Sequence, residues 1–226
     1  MLKCRDNLCC LYLNARSFIG KFDHFESWIC SINPYVIAIT ESWTNQNILD
    51  AEISLSGYTL FHKDRPVNKE GGGVLLYVRS ILKPLEFNPR STFPEQVWCR
   101  ILDLSGGDFY LGVVYRTPTD NIVGSGNHDE LRNLLTEVGE SLKHFILIGD
   151  FNYSFRKWPI GNDTDTPTAE AQLFVDCLDD NFLTQHVTFS TRKNAVFDLI
   201  ISDEADMTQE LSDIGLFENS DHIALC

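Results

Sequence analysis

The chain has 226 residues, with 18 Lys and Arg against 32 Asp and Glu, a formal net charge of −14, 43% hydrophobic and 12% aromatic residues. That composition excludes a disordered chain, and the length allows a full core without disulfide or metal staples. The charge is uneven: residues 1–116 hold 12 basic and 12 acidic side chains, whereas residues 117–226 hold 6 and 20. An acidic half of this kind argues against strong non-specific affinity for nucleic acid or anionic lipid, unless some of its carboxylates converge on a metal.

No apolar run reaches the ~20 residues of a membrane span, so no membrane association is expected. Residues 1–6 lack the apolar stretch of a signal peptide. Seven cysteines, odd in number and without a Cys-x-x-Cys pair, read as reduced thiols of an intracellular protein.

Apolar runs at 8–14, 35–41, 58–62, 73–79, 96–104, 108–116, 145–150 and 196–202 predict strands, many of them covered on both faces. Phe18, Phe22, Phe25, Ile29 and Ile32 recur at helical spacing, and Pro34 closes that segment. Leu131, Leu134, Leu135, Val138 and Leu142 make a second helical stripe. Ala171, Phe174, Val175, Leu178 and Phe182 make a third, just after Pro167-Thr168. Gly71-Gly72-Gly73 and Ser105-Gly106-Gly107 read as hairpin turns, and 117–127 and 153–168 as longer polar loops. Neither loop has the character of a linker. The prediction is one α/β domain over residues 1–226, with two packed sheets flanked by helices.

Polar residues close three of the apolar runs: Asn14, Glu41 and Asp150, the last followed by Phe151 and Asn152. Carboxylates at the C-terminal ends of strands stand at the rim of a sheet, where ligands bind. Asp198 lies inside an apolar run, and a buried carboxylate is costly unless paired. His222, in Ser220-Asp221-His222, is its natural partner, because an Asp holds an imidazole in one tautomer and favours its protonated form. Glu41, Asp150 and Asp221 with two Asn side chains form a hard-oxygen set without thiolate, which suits Mg²⁺ or Mn²⁺. Phosphoryl-ester hydrolysis is the natural chemistry of such a set. Trp28, Trp43 and Trp98 read as core or rim packing. Trp158 lies in a basic-aromatic loop segment, Arg156-Lys157-Trp158.

Taken in order, Leu13-Asn14, Thr40-Glu41-Ser42-Trp43, Ile148-Gly149-Asp150-Phe151-Asn152, Phe197-Asp198-Leu199-Ile200 and Ser220-Asp221-His222 resemble the motifs of the endonuclease/exonuclease/phosphatase superfamily. Asn14-Ala15-Arg16-Ser17, the stretch 57–65, Gly71-Gly72-Gly73-Val74 and Val114-Tyr115-Arg116-Thr117-Pro118 resemble, more narrowly, the apurinic-type endonuclease domain of non-LTR (LINE-type) retrotransposons. The likeness runs over about residues 8–225. It implies a four-layer α/β sandwich with its site at one edge of the two sheets. It also implies single-strand nicking of duplex DNA, leaving a 3′-hydroxyl and a 5′-phosphate, with the 3′-hydroxyl priming reverse transcription. The alternative is a phosphatase or phosphodiesterase of the same superfamily acting on a lipid or nucleotide phosphate.

By this resemblance Glu41 ligates the metal, Mg²⁺ with Mn²⁺ as a substitute, with Asn14 and Asp221 close by. Asp150 orients or activates the attacking water and Asn152 positions it. Tyr115 contacts the scissile phosphate, and His222, oriented by Asp198, stabilises the transition state. Two basic pairs flank these motifs, Arg156-Lys157 and Arg192-Lys193. A hairpin near the second pair probes the minor groove in the retroelement endonucleases. Arg192 and Lys193 are therefore expected to read groove shape, and Arg156 and Lys157 to hold the phosphate backbone. The first motif lacks the Asn-x-Asp-Gly of abasic-site repair relatives. A nuclear location and a reverse transcriptase domain following in the full-length protein complete the expectation. With only four residues after His222, a last edge strand is expected to be short or absent.

Overall fold

Alternation along the first strand already divides the interior in two. In the computed structural model, Leu11 and Leu13 of β1 (Cys10–Asn14) enter one apolar cluster and Tyr12 enters another. The structure describes residues 8–65, 71–102, 107–118, 127–158 and 167–226. After β1 come α1 (Phe22–Ile32), β2 (Val36–Thr40), β3 (Tyr58–Lys63), β4 (Val74–Arg79), β5 (Leu85–Phe87), β6 (Gln96–Ile101) and β7 (Phe109–Tyr115). Then follow α2 (His128–Ser141), β8 (Phe145–Phe155), α3 (Ala169–Asp180), β9 (Thr184–Gln185), β10 (Val196–Ser202), β11 (Asp213–Leu216) and β12 (Ile223–Leu225).

The strands form two six-stranded mixed sheets, ordered β11-β12-β1-β2-β4-β3 and β5-β6-β7-β8-β10-β9. Each sheet is built around a parallel pair, β1 with β2 and β7 with β8, and in each pair a helix makes the crossover. The other ladders are antiparallel, so the two sheets share one topology although the sequence shows no repeat. Their inner faces meet through Tyr12, Val36, Ala38 and Leu76 on one side and Trp98, Leu111 and Val113 on the other. Phe25 and Ile29 of α1 cover the outer face of the first sheet, and α2 and α3 complete the layer over the second. This is the four-layer sandwich that the resemblance implies, built on the two packed sheets read from the residues.

Local signals behave as the sequence implies. Asn33 ends α1 in the left-handed conformation at φ +54, just before Pro34. The Thr168 hydroxyl caps α3 by accepting from the Ala171 amide at 3.2 Å. Some expectations need correction. β8 does not stop at Asp150; it continues to Phe155, so the polar loop placed at 153–168 begins later. Phe151, Tyr153 and Phe155 alternate with polar residues, and all three rings pack on Phe174 of α3. Strands β5, β9, β11 and β12 have two to four residues each, too few to show a period. The last strand is short but is no edge, since β12 lies between β11 and β1. The turn placed at 105–107 and the loops at 117–127 and 153–168 fall partly outside the described residues. Six cysteines are described and all are free thiols, with the Cys9 and Cys226 sulfurs 3.2 Å apart.

Gly149 precedes Asp150 where β8 runs parallel to β7, opposite Val114. A Cβ there would stand 1.9 Å from the Val114 carbonyl oxygen, so any side chain must force the two strands apart. Gly149→Ala should cost about 3 kcal/mol, as overpacking a tight interior does. That corresponds to a Tm lower by roughly 6–12 °C in a domain of this size. A melting curve by circular dichroism matching that of the wild type would refute the close-approach argument.

Candidate active site

The C-terminal ends of both parallel pairs meet at one rim. Asn14 closes β1 beside Thr40 of β2, and Tyr115 closes β7 beside Asp150 of β8. Asp198 on β10 stands directly opposite Asp150 in the antiparallel ladder. Two carboxylates paired across a ladder repel, and both are buried, Asp150 at 2% exposure and Asp198 at 0%. Each has its own partners. Asp198 accepts from the Tyr12 hydroxyl at 2.5 Å and lies 2.7 Å from His222 Nδ1. Asp150 accepts from the Asn14 side-chain amide at 3.0 Å and from the Asn152 backbone amide at 3.0 Å.

His222 therefore keeps Nδ1 on Asp198 and turns Nε2 toward Asp150 Oδ2, 4.0 Å away. Burial alone would lower its pKa, but the charge and hydrogen bond of Asp198 outweigh that and hold it above the ordinary imidazole value. Burial first, then the charge of Asp198, push Asp150 up to about 8. Thr191 ties the neighbouring segments together. Its hydroxyl accepts from the amides of Phe197 and Asp198, and its carbonyl accepts from the Ile223 amide at 2.8 Å. The Ser220 hydroxyl donates to the Asn14 carbonyl at 2.7 Å and accepts from the His222 amide.

Asn152 sits in β8 at φ +52, a left-handed position that asparagine adopts more readily than other non-glycine residues. Its side-chain amide donates to the Arg116 carbonyl at 2.7 Å. The buried Arg116 guanidinium returns the contact, donating to the carbonyls of Phe151 and Asn152 and lying over the Tyr153 ring. The turn that aims Asn152 is thus clamped by one arginine.

Glu41 sits at φ +54, just beyond β2. Its Oε2 accepts from the Gly72 amide at 2.9 Å and from the Trp43 indole. Gly71-Gly72-Gly73 is therefore more than a turn: it runs antiparallel to 41–43, with the Trp43 amide donating to the Gly72 carbonyl at 2.9 Å. A Cβ on Gly72 would lie 2.4 Å from Glu95 Oε2 and 2.5 Å from Arg65 Nε, and the residue has φ +74. Behind the glycines is a buried ion pair that the sequence did not reveal. Arg65 donates to Glu95 through Nε and Nη2 and to the Thr117 hydroxyl at 2.6 Å, while Glu95 Oε2 accepts from the Gly73 amide at 2.8 Å. A carboxylate opening the run at 96–104 was the available signal. Tyr115 is buried beside this group; burial, then the charge of Glu41 and a hydrogen bond to it, raise its phenol well above the ordinary value.

Asp221 takes a different place from the other acids. Arg192 bonds its Oδ2 at 2.8 Å through Nε and Nη2, and Arg16 reaches Oδ1 at 3.5 Å. Burial would raise the Asp221 pKa, but Arg192 lowers it on balance. The segment with the second basic pair is a tight turn, with reciprocal backbone bonds between Arg192 and Ala195. Arg192 folds back over Phe197, whereas Lys193 is exposed at the tip. Arg156 and Lys157 are exposed just after β8, beside Trp158, which packs edge-on against Phe155. The other five histidines have local partners, such as His128 on Tyr153 and His186 on Ser202.

The donor set fits a hard divalent cation. Glu41, Asp150 and Asn14 offer oxygens, and the burial and Asp198 charge that disfavour an ionised Asp150 are penalties that a cation beside it relieves. Asp150, Asp198 and His222 do bring ligand-type atoms within 4.8 Å of one another, but Asp198 and His222 are already bonded together. That leaves Asp150 as the carboxylate of the trio that could hold a cation.

The model of the endonuclease/exonuclease/phosphatase family matches residues 11–222, nearly the whole chain. The chain belongs to this family. No curated protein matches it in sequence. In fold, this family member is similar to the AP endonuclease of Leishmania major, with a TM-score of 0.73 and 12% identity over 96% of this chain and 85% of that one. It is similar to an AP endonuclease of Archaeoglobus fulgidus, with a TM-score of 0.73 and 13% identity over 97% of this chain and 98% of that one. The endonuclease domain of TRAS1, a telomere-specific non-LTR retrotransposon, gives a TM-score of 0.68 and 13% identity over 96% of this chain and 94% of that one. At such identities these likenesses describe the fold.

The Asp198–His222 pair makes a pH prediction for hydrolysis by this family member. Activity that needs the imidazolium is present below the raised His222 pKa and is lost as pH rises through it. Asp198→Asn removes the charge that raises that pKa, so the alkaline limb of kcat/KM should move to lower pH. Turnover at neutral pH should fall by roughly 10²-fold. An alkaline limb that stays in place would separate Asp198 from the protonation of His222.

Proposed function

We propose that this chain is a divalent-metal-dependent endonuclease that nicks one strand of duplex DNA, leaving a 3′-hydroxyl and a 5′-phosphate. The observation that carries the reading is the buried His222, held by Asp198 on one nitrogen and aimed at Asp150 with the other. In this reading Asp150, whose carboxyl is pushed above the ordinary carboxylate range by burial and by the charge of Asp198, takes a proton from the attacking water. Asn14 and Asn152 fix the Asp150 carboxylate and the approach of the water. His222 as imidazolium stabilises charge growing on the phosphoryl oxygens, and Tyr115 contacts the scissile phosphate. Glu41 holds Mg²⁺ or Mn²⁺ with Asn14 beside it; when bound, the cation polarises the phosphoryl group and offsets leaving-group charge. Asp221 stays near the cation's side of the rim as the acceptor for Arg192 and Arg16.

The finer reading is that the 3′-hydroxyl primes reverse transcription in non-LTR retrotransposition. It rests on Asn14-Ala15-Arg16-Ser17, the glycine triplet and Tyr115-Arg116-Thr117-Pro118, and it accords with the similarity to the TRAS1 domain. It carries with it action in the nucleus and a reverse transcriptase domain as partner in the full-length protein. DNA is held by Lys193, Arg156 and Lys157, whereas Arg192 acts partly through Asp221.

The test is supercoiled plasmid. Mg²⁺ should give the relaxed circle, EDTA should stop the reaction, and a polymerase should extend the nick without prior phosphatase treatment. Relaxation undiminished in EDTA, or turnover of small phosphate esters with no nicking, would overturn the reading. Glu41→Ala should raise the Mg²⁺ concentration needed for half-maximal rate. Asp150→Ala and His222→Ala should lower kcat by roughly 10²–10³-fold with DNA binding kept.

The basic residues give a separate expectation. Lys193→Ala, and Arg156→Ala with Lys157→Ala, should weaken DNA binding and flatten its salt dependence without changing kcat. Arg192→Ala should weaken binding and also lower kcat, because it frees Asp221 next to His222. Equal kcat for the Lys193 and Arg192 variants, measured at saturating DNA, would remove that second role.

A further inference from the structure

Trp43 occupies the rim in a way that core packing does not explain. It is 44% exposed, unlike Trp98 at 1%, and unlike Trp28, which stacks on Phe217. Its backbone is at φ +56, an outlier for a bulky residue, and such strain persists only where surrounding contacts over-determine it. Those contacts are present. The Trp43 amide donates to the Gly72 carbonyl at 2.9 Å, and the indole N–H donates to Glu41 Oε2, the oxygen that also accepts from Gly72. Ser42 between them is fully buried, with its hydroxyl on Thr44. Two left-handed residues therefore bracket a buried one. The indole is fixed by one edge to the carboxylate assigned to the cation.

An aromatic plane that is rigid, exposed and tied to the reacting centre is preorganised to receive another π-face. We infer that Trp43 is a specificity residue of the nuclease, and that its indole stacks on an unstacked nucleobase flanking the scissile phosphate. The inference rests on the DNA-nicking reading. A phosphate seated at the cation that Glu41 would hold carries its own nucleoside, so a base attached to it would fall within reach of a ring hydrogen-bonded to the same carboxylate. Stacking of this kind tolerates any base, but it requires the base to leave its neighbours. Cutting should therefore favour steps where the duplex opens easily, such as pyrimidine–purine steps and mismatches.

The experiment is a cycle between Trp43 and the DNA. Binding of a short duplex is measured by fluorescence anisotropy in EDTA for wild type, Trp43→Phe and Trp43→Leu. A base-less tetrahydrofuran residue is then placed at each position of the duplex in turn. Trp43→Leu should weaken binding about tenfold and Trp43→Phe distinctly less, the scale of one base–aromatic stack. At one position, removing the base should weaken the wild type about as much and leave Trp43→Leu unaffected. With Mg²⁺, Trp43→Leu should raise KM more than it lowers kcat and should lose the preference for mismatched sites.

Phe and Leu variants that are equally impaired, with no position coupled to Trp43, would overturn the inference and reduce Trp43 to a brace for Glu41. The two readings fail separately. A coupled base without any nicking would sink the nuclease reading, and nicking without coupling would sink the role of Trp43.

Discussion

Two buried carboxylates face each other across the β8–β10 ladder, and the site is organised by what keeps them apart in energy. Like charges about 5 Å apart repel by roughly 3 kcal/mol at an effective dielectric near 20. Asp150 and Asp198 meet this by taking opposite environments. Asp198 has a phenol and an imidazole, drawn from β1 and from the segment before β12. Asp150 has two amide donors and a raised pKa. One acid thus keeps a cationic partner, while burial and its neighbour's charge disfavour ionisation of the other. Tyr12 and Asn14 belong to the first sheet and reach the two carboxylates of the second, so fold and chemistry share one requirement.

A second device holds the opposite wall. Glu41, Trp43 and Asn152 all have positive φ, and the glycine triplet does as well. Backbone in these regions costs about 1–3 kcal/mol at each non-glycine position. The cost is offset by a layer of fully bonded polar groups: Arg65 with Glu95 and Thr117, Arg116 with Phe151 and Asn152, Thr191 with Asp198. No buried side-chain polar atom among the described residues is left without a partner. The aimed residues therefore sit on rigid elements with preorganised support, which electrostatic catalysis requires.

Much of this was legible in the sequence, and for definite reasons. Central strands such as Val36–Thr40 and Val196–Ser202 are covered on both faces, so they read as continuous apolar runs. Polar residues closing those runs, Asn14 and Asp150 among them, then mark the rim, and a carboxylate inside a run, Asp198, marks a buried pair. What stayed hidden depends on contacts far apart in the chain or on backbone conformation. Arg192 meets Asp221 across 29 residues, and Arg65 meets Glu95 across 30. Nothing in Trp43 as a letter distinguishes a core indole from one held open by a left-handed turn. The strand beyond Asp150 was missed because Asn152 and Ser154 mask the alternation of three buried rings.

The placement of β12 sets a schedule. The His222 imidazole arrives with a strand that inserts beside β1, and the Ser220–Asn14 bond spans 206 residues. At ~5–20 residues per second of synthesis, roughly 10–40 s separate the emergence of the two partners. Until the later one appears, β1 has a bare edge, Asp198 lacks its imidazole, and the nascent chain cannot close its first sheet. Contacts this long-range also make folding slow once the chain is complete. Strand order thus delays completion of the rim until almost all of residues 1–226 have been translated.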